Sequence, residues 1–497
     1  MEAEQPSATL ACLPRELKTL ALLAADVFTL GAIARVCREW HEVIEQVLRT
    51  RADPDTLLPS DSLQMLCWRE RRRLHEHLAC ALAAGAHHSA LAVDGAVSTF
   101  GNDEEGRGYL GCGVIGNTER AIAAHRLPTR VPRAYPACAE RFVAVATHSL
   151  HTLALGASGA VYSFGHGQCG KLGHGDEASQ ARPRRIEGAL AEVRAVAISA
   201  GQQHSLVVSE AGVAFSFGSG FGGKLGHGDQ RDRLAPVRIA ALPAVSVLTA
   251  GALHSLAVTR SDGALYTFGR GSARQLGHGD AQSDEHAPRR VDALARVRVV
   301  AAAGGTHHSL AVDDAGVCYS WGAGEARERT SESAGGWLGH RDFDDRPVPR
   351  PIAALGGARV VAVAAGGWHS LALADGGALY SFGDGGGGKL GHDDGGQMHW
   401  VPARVCALEG CRVAAIGAGE AHSLCMLEDG RVLSWGCGGA LGLRPAVLTE
   451  HGTDNPACWG SETGYEWLPG DAARRWQAHA PSLVSFPADF NPELADC

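Results

Sequence analysis

The sequence predicts a mainly β fold, a seven-bladed β-propeller preceded by a small N-terminal α-helical module. Three observations point there. A G-x-x-H-S pattern, degraded in places, recurs at intervals of 50 to 63 residues and puts histidines at His88, His151, His204, His254, His308, His369 and His422. Each is followed by an aromatic–glycine pair, from Phe100-Gly101 to Trp435-Gly436, and then by a Leu-Gly pair beginning at Leu110, Leu172, Leu225, Leu276, Leu338, Leu390 or Leu441. Between these markers run short apolar stretches separated by turn residues, as in "VRAVAISAGQQHSLVVSEAGVAFSFG" at 193 to 218. Strand-rich repeats of this period stack side by side as propeller blades.

In chain order, the first element is "LPRELKTLALLAADVFTLGAIARVCREWHEVI", residues 13 to 44. Pro14 suits a first helical turn, and apolar residues recur at Leu17, Leu20, Leu23, Leu30, Ile33 and Val36. Trp40 falls where a third helix would bury it. The stretch resembles an F-box, the helical module that docks on the Skp-type adaptor of cullin ubiquitin ligases. Leu13, Pro14, Glu16, Val36, Cys37, Arg38 and Trp40 carry the resemblance, and it implies that Leu13, Pro14, Glu16, Leu17, Val36, Cys37 and Trp40 contact the adaptor. Ala21, Ala24 and Ala25 stand where larger apolar residues and a proline are commoner in that module. The module therefore spans residues 1–50. Residues 51–77 form a linker, turn-rich in "ADPDTLLPSDS" and then amphipathic and basic in "LQMLCWRERRRLHEH", whose charges read as a solvated helix face.

The propeller occupies residues 78–490, with an excursion at 443–480. Asp262-Gly263 before the alternating Leu265, Tyr266, Thr267 and Phe268 predicts a hairpin with a tight turn. Small residues before the histidines, as in "VAVAAGG" at 361 to 367, suit strands crowded near the central axis. A marker P-x-x-V or P-x-x-I starts at Pro128, Pro183, Pro236, Pro288, Pro349, Pro402 and Pro481. The last of these lies in "HAPSLVSF", after the excursion. That tail is expected to form a strand joining the first and last blades, because an open ring leaves two exposed sheet edges.

The fragments "FGHGQCGKLGHGD", "FGSGFGGKLGHGD" and "FGDGGGGKLGHDD" come close to a phosphate-binding loop. That loop needs Ser or Thr after its lysine to hold magnesium, and it opens a helix. Here Leu172, Leu225 and Leu390 follow Lys171, Lys224 and Lys389, and strands flank the loop. No nucleotide site is expected. Five further histidines follow Leu-Gly, at His174, His227, His278, His340 and His392. Propeller symmetry spreads such positions around a ring, too far apart to share an ion. Both histidine series are expected to be buried imidazoles that satisfy backbone carbonyls between blades, with aspartate closing the turn. No catalytic residue, metal site or cofactor is expected.

Composition narrows the partners. A formal net charge of −9 and an acidic start make nucleic acid an unlikely partner in charge terms. The most apolar stretch, Leu17 to Val36, is broken by Lys18, Asp26 and Arg35, which excludes it as a membrane span. Fourteen cysteines without a C-x-x-C pair argue against zinc and against a disulfide framework. With no signal-peptide pattern, the expectation is an intracellular protein, cytoplasmic or nuclear, with reduced thiols. Three interruptions of the repeat, at 102–109, 325–337 and 443–480, are candidate partner-binding loops, with Trp337, Trp459, Tyr465 and Trp467 as candidate contacts.

Together the repeat markers resemble the regulator of chromosome condensation family, seven-bladed propellers with these motifs. The family includes an exchange factor for the small GTPase Ran, a plant UV-B photoreceptor, and interaction modules attached to ubiquitin-ligase domains. The photoreceptor's clustered tryptophans have one counterpart among the histidine motifs, Trp368 in "GGWHS". Light sensing is not expected. The exchanger's basic N-terminal tail is replaced by an acidic, apolar segment. The leading expectation is a binding protein without chemistry of its own, the F-box subunit that presents a target protein to a cullin ligase. The alternative is a guanine-nucleotide exchange factor for a Ran-like small GTPase.

Overall fold

The computed structural model describes residues 81–93, 95–101, 110–111, 129–130, 140–279, 282–325, 335–437, 441, 449–451 and 475–484. All fall in the second of two units, Leu78–Cys497. The F-box-like segment with Leu13, Pro14, Glu16, Leu17, Val36, Cys37 and Trp40, the linker, and Trp459, Tyr465 and Trp467 lie outside the described residues.

Seven antiparallel sheets, six of four strands and one of five, form the blades of a propeller. Blade 3 shows the plan: Ala195–Ala200, His204–Ser209, Ala214–Gly218 and Arg233–Arg238, running from the axis outward. Among the described residues there is no α-helix, only short 3-10 turns, and no helix long and apolar enough to cross a membrane. The predicted hairpin at Asp262-Gly263 joins His254–Thr259 to Leu265–Gly269. Its aspartate Oδ1 accepts from the Thr259 hydroxyl at 2.5 Å and holds the turn closed.

Register explains why the markers recur together. In every blade the motif histidine lies opposite the glycine of the aromatic–glycine pair, as in His204 opposite Gly218 and His254 opposite Gly269. The Leu-Gly glycine has a different duty, to the next blade. A Cβ on Gly173 would stand 2.8 Å from the Phe217 ring, and Gly226, Gly277 and Gly391 lie equally close to Phe268, Trp321 and Trp435. Phe217, Phe268, Trp321, Phe382 and Trp435 are therefore each seated on the glycine of the preceding blade. These rings are fully buried, and burying one such side chain stabilises by about 1.5–3 kcal/mol. Apolar residues between blades complete the seam, for example Leu206, Val208 and Ile239 of blade 3 against Val245, Leu248 and Phe268 of blade 4.

Ring closure differs from the expectation. The tail Arg475–Leu483 does not bridge two blades. It pairs with Val432–Cys437 and with Thr449–His451, so it is an outer strand of blade 7. Blade 1 takes all its strands from Leu82–Ala84 onward. Each blade thus owns its strands, and closure rests on side chains and loop contacts: Leu82, Leu91 and Phe100 pack on Leu424, Met426, Val432 and Val484. The Glu420 N–H donates to Gly85 O at 3.3 Å across the same seam.

Candidate interaction site

The motif histidines build a complete ring around the axis. His88 meets Thr152 at 2.7 Å, His151 meets Ser205 at 2.9 Å and His204 meets Ser255 at 3.0 Å. The series continues through His254–Ser309, His308–Ser370 and His369–Ser423, and His422–Ser89 closes it at 2.8 Å. The hydroxyl of Ser205 donates to Lys171 O, that of Ser255 to Lys224 O, and that of Ser309 to Gln275 O. A hydroxyl that donates to a carbonyl must accept from the imidazole, so Nε2 carries the hydrogen. Nδ1 has no hydrogen-bond partner in any of the seven. In five of the seven it lies against the motif glycine, Gly201, Gly251, Gly305, Gly366 or Gly419, and a Cβ on Gly201 would stand 2.5 Å from Nδ1 of His204. That contact is why the motif opens with glycine.

Burial pushes these imidazoles far down, to about 3 for His88, His254 and His308 and about 4 for His422. A neutral imidazole bonded through Nε2 at every seam is a fastener and has no proton to exchange near neutrality. The second histidine series works inside each blade. His174 Nε2 meets Ser163 Oγ at 2.9 Å and that hydroxyl donates to Leu172 O; His227, His278, His340 and His392 repeat the arrangement. The expected carbonyl contacts are thus made at one remove, through a hydroxyl, because the imidazole donor and the carbonyl are bridged by the serine on the facing strand.

The Gly-Lys loops are not phosphate cradles. Lys171, Lys224 and Lys389 are buried at 2%, 0% and 1% exposure, with no open space before the ammonium. Lys389 Nζ donates to Asp384 Oδ2 at 2.5 Å and to Gly386 O at 2.9 Å. Lys224 donates to Ser219 Oγ and Phe221 O with no ion pair among the described residues, and burial lowers its ammonium to about 8 against the weaker opposing pull of Cys169 and Asp232. Thiol chemistry is no better placed. Burial pushes Cys318 up to about 12 and raises Cys425 as well, so neither supplies a thiolate. Among the described residues no group of His, Cys, Asp and Glu is arranged to hold a metal ion.

What remains is surface. At the mouth of the axis, Trp368 and Glu420 stand half-buried in the turns before His369 and His422. Trp368 packs between His307, at 5.5 Å, and Trp337, at 5.3 Å. Burial pushes the Glu420 carboxyl up to about 7, against the opposing pull of Lys389 and His307.

Trp337, expected as a partner contact, is a correction. It has 0% exposure and its indole N–H donates to Ala323 O. The residue takes the place that Lys171, Lys224 and Lys389 hold in other blades, an interior position whose carbonyl receives the serine of the next blade. The exposed tryptophan of this region is Trp400, which sequence reasoning passed over. It lies on the outer strand His399–Arg404, where Leu234 and His286 hold the matching places in blades 3 and 4. Each of these covers a glycine of the preceding blade: Gly170 under Leu234, Gly223 under His286 and Gly336 under Trp400. Aligning the fourth strands of the repeats would have exposed the signal.

The comparisons agree with this architecture. An RCC1-like domain matches residues 52–355, and RCC1 repeats match 376–426, 360–388 and 413–440. The chain belongs to the RCC1-like domain family. RCC1 domain-containing protein RUG3, mitochondrial, of Arabidopsis thaliana is 30% identical over 362 residues, which is 70% of this chain and 76% of RUG3. Ultraviolet-B receptor UVR8 of the same plant is 34% identical over 58% of this chain and 63% of UVR8. E3 ubiquitin-protein ligase HERC2 of Homo sapiens is 36% identical over 57% of this chain, and the match takes in 6% of HERC2. The chain thus spans less than two thirds of the length of UVR8 and a small part of HERC2. Among solved structures, Prp20p of Saccharomyces cerevisiae, studied with its binding to Gsp1p and histones, superimposes at a TM-score of 0.57 and 25% identity, covering 68% of this RCC1-like chain and 80% of Prp20p. Human WBSCR16 shares the fold at a TM-score of 0.61 and 20% identity, over 79% of this chain and 94% of WBSCR16.

Proposed function

We propose that this RCC1-like propeller is a protein-interaction scaffold, the target-presenting F-box subunit of a cullin ubiquitin ligase, working in the cytoplasm or nucleus. One observation carries the scaffold reading. The seven ring histidines, the serines and threonine they meet and the lysines of the Gly-Lys loops are buried and held by contacts within and between blades, and the second histidine series is half-buried and bonded within its blades. The ligase reading draws on Leu13-Pro14 and on Val36-Cys37 with Trp40, spaced for three short helices. The likeness to part of HERC2, itself a ubiquitin ligase, is consistent with it. In this role the N-terminal segment holds a Skp-type adaptor and through it the cullin, while the propeller holds a target protein.

Prp20p's likeness favours a second reading, an exchange factor for a Ran-like small GTPase. One experiment separates the two. Full-length protein purified from cells should carry a Skp-type adaptor, and the double variant Leu13→Ala, Pro14→Ala should lose it while the propeller melts unchanged. Recovery of a small GTPase in place of the adaptor, from both proteins alike, would transfer the assignment to exchange.

A further inference from the structure

We propose that the rim where blade 6 meets blade 5, centred on Trp400, is a docking surface for an arginine- or lysine-bearing protein segment. The inference deepens the scaffold reading and rests on it, but not on the adaptor. Among the described residues two aromatic side chains are strongly exposed, Phe221 at 56% and Trp400 at 49%. Phe221 already has a cation on its ring, the Lys224 ammonium 5.5 Å from the centroid. Trp400 has none. It packs on Phe343 with ring centroids 5.3 Å apart and planes at 54°, which fixes the indole and leaves part of it to solvent.

Its backbone is equally fixed. Trp400 O accepts from the Arg341 N–H at 3.1 Å, and its Cα and Cβ lie so close over Gly336 that a methyl there would stand 2.8 Å away. Rigid aromatics presented on a strand lose little entropy on binding, which is why tryptophan dominates interface hot spots.

Charge selects the partner. Asp342, Asp344 and Asp345 flank Phe343 in the turn, and Asp393 and Asp394 precede His399 on the strand that carries Trp400. Local cations use up some of them: Arg346 takes Asp342 at 2.6 Å, Arg274 takes Asp345, and His399 takes Asp394 at 2.7 Å. Asp344 is left 81% exposed with its nearest cation at 3.7 Å, and Asp393 is exposed with no ion-pair partner among the described residues. Among the described residues Arg341 is the one exposed cation in these two turns. An indole whose packing partner Phe343 is followed by exposed Asp344, with exposed Asp393 in the turn that leads to its own strand, suits a guanidinium or ammonium, which stacks on the ring while carboxylates of the two turns supply counter-charge.

The test uses the full chain and a fluorescent octa-arginine peptide, with octa-glutamate as control, in anisotropy at about physiological salt. Octa-arginine should bind and octa-glutamate should not. Trp400→Ala should weaken binding about tenfold or more, a loss of one decade in Kd, and Trp400→Phe should restore most of it. The double variant Asp344→Asn, Asp393→Asn, which touches no packed residue, should weaken binding and flatten its salt dependence. Failure of the wild type to bind overturns the proposal. So does unchanged binding by Trp400→Ala together with the double asparagine variant, since that would mean diffuse attraction to an acidic chain. Leu13→Ala with Pro14→Ala should bind the peptide normally, so a failure of the adaptor reading is seen separately.

Discussion

The histidine ring and the loops between third and fourth strands occupy the same seams, yet they are built on opposite terms. In the ring each contact runs between side chains, so the residue types are fixed: imidazole on one blade, serine or threonine on the next. In the loops the contact accepted from the next blade is made by a backbone carbonyl, that of Lys171, Lys224, Gln275, Trp337 or Lys389. Any residue owns a carbonyl. The side chain at that place is therefore free to differ, and each blade compensates for its choice locally, with Asp384 for Lys389 and with Ala323 O for Trp337. A fixed side-chain ring preserves the fold, and a backbone-anchored loop lets blades diverge.

Substitutions in the loops should accordingly give unequal effects. Trp337→Ala removes a fully buried indole and should cost about 3–5 kcal/mol in chemical denaturation. Trp400→Ala, on the same seam but exposed, should stay within about 0.5–1 kcal/mol. Lys389→Met strands the Asp384 carboxylate in the interior, and losing one member of such a pair costs about 3–5 kcal/mol. Lys224→Met strands no charge and should be neutral or stabilising at neutral pH. The lysine also leaves a pH signature. Its folded value of about 8 lies below the ordinary 10.5, so the unfolded chain holds more protons between the two. Wild-type stability should then rise from pH 8 toward 10.5, and Lys224→Met should lack that rise.

Ring substitutions should instead be nearly alike. Ser255→Ala leaves the His204 donor and Lys224 O unsatisfied and should cost about 1–3 kcal/mol. Ser89→Ala, at the closing seam, should cost about the same. A much larger loss at Ser89 would mark the closure as the weak point of the propeller, and no loss there would show that blade 1 and blade 7 are held by apolar packing alone.

The sequence made the blades legible because each marker has one physical reason that repeats. Gly173 must lie under Phe217, and Gly201 must lie under its own histidine ring. Neither of these two glycines leaves room for a Cβ, although the unit of His151 carries His148 at the place of Gly201. The duties of Trp337 and of the tail were hidden for a related reason. A tryptophan after two glycines looks like an exposed loop anchor until the neighbouring blades show that this position is interior in each of them. The tail resembles every other fourth strand, and the excursion before it suggested a bridge; pairing with Val432–Cys437 is a long-range fact that local pattern does not encode. The outward-facing candidates were least legible of all, because exposure of Trp400 depends on Phe343 from another blade.

The central claim is that the motif histidines are neutral fasteners, which leaves function to the surface of the propeller. It is tested most directly by the slope of folding stability against pH. In the folded chain His88, His254 and His308 are held at about 3 and His422 at about 4, and burial holds His151, His204 and His369 well below the ordinary 6.5, so unfolding takes up protons as pH falls through 6.5. Stability should fall as pH drops below 6.5, each histidine adding up to about 1.4 kcal/mol per pH unit, against the single opposing proton of Glu420. Denaturation midpoints that hold steady down to about pH 4.5 would contradict the account, because they would mean that the ring histidines are already charged or are free to become so in the folded protein.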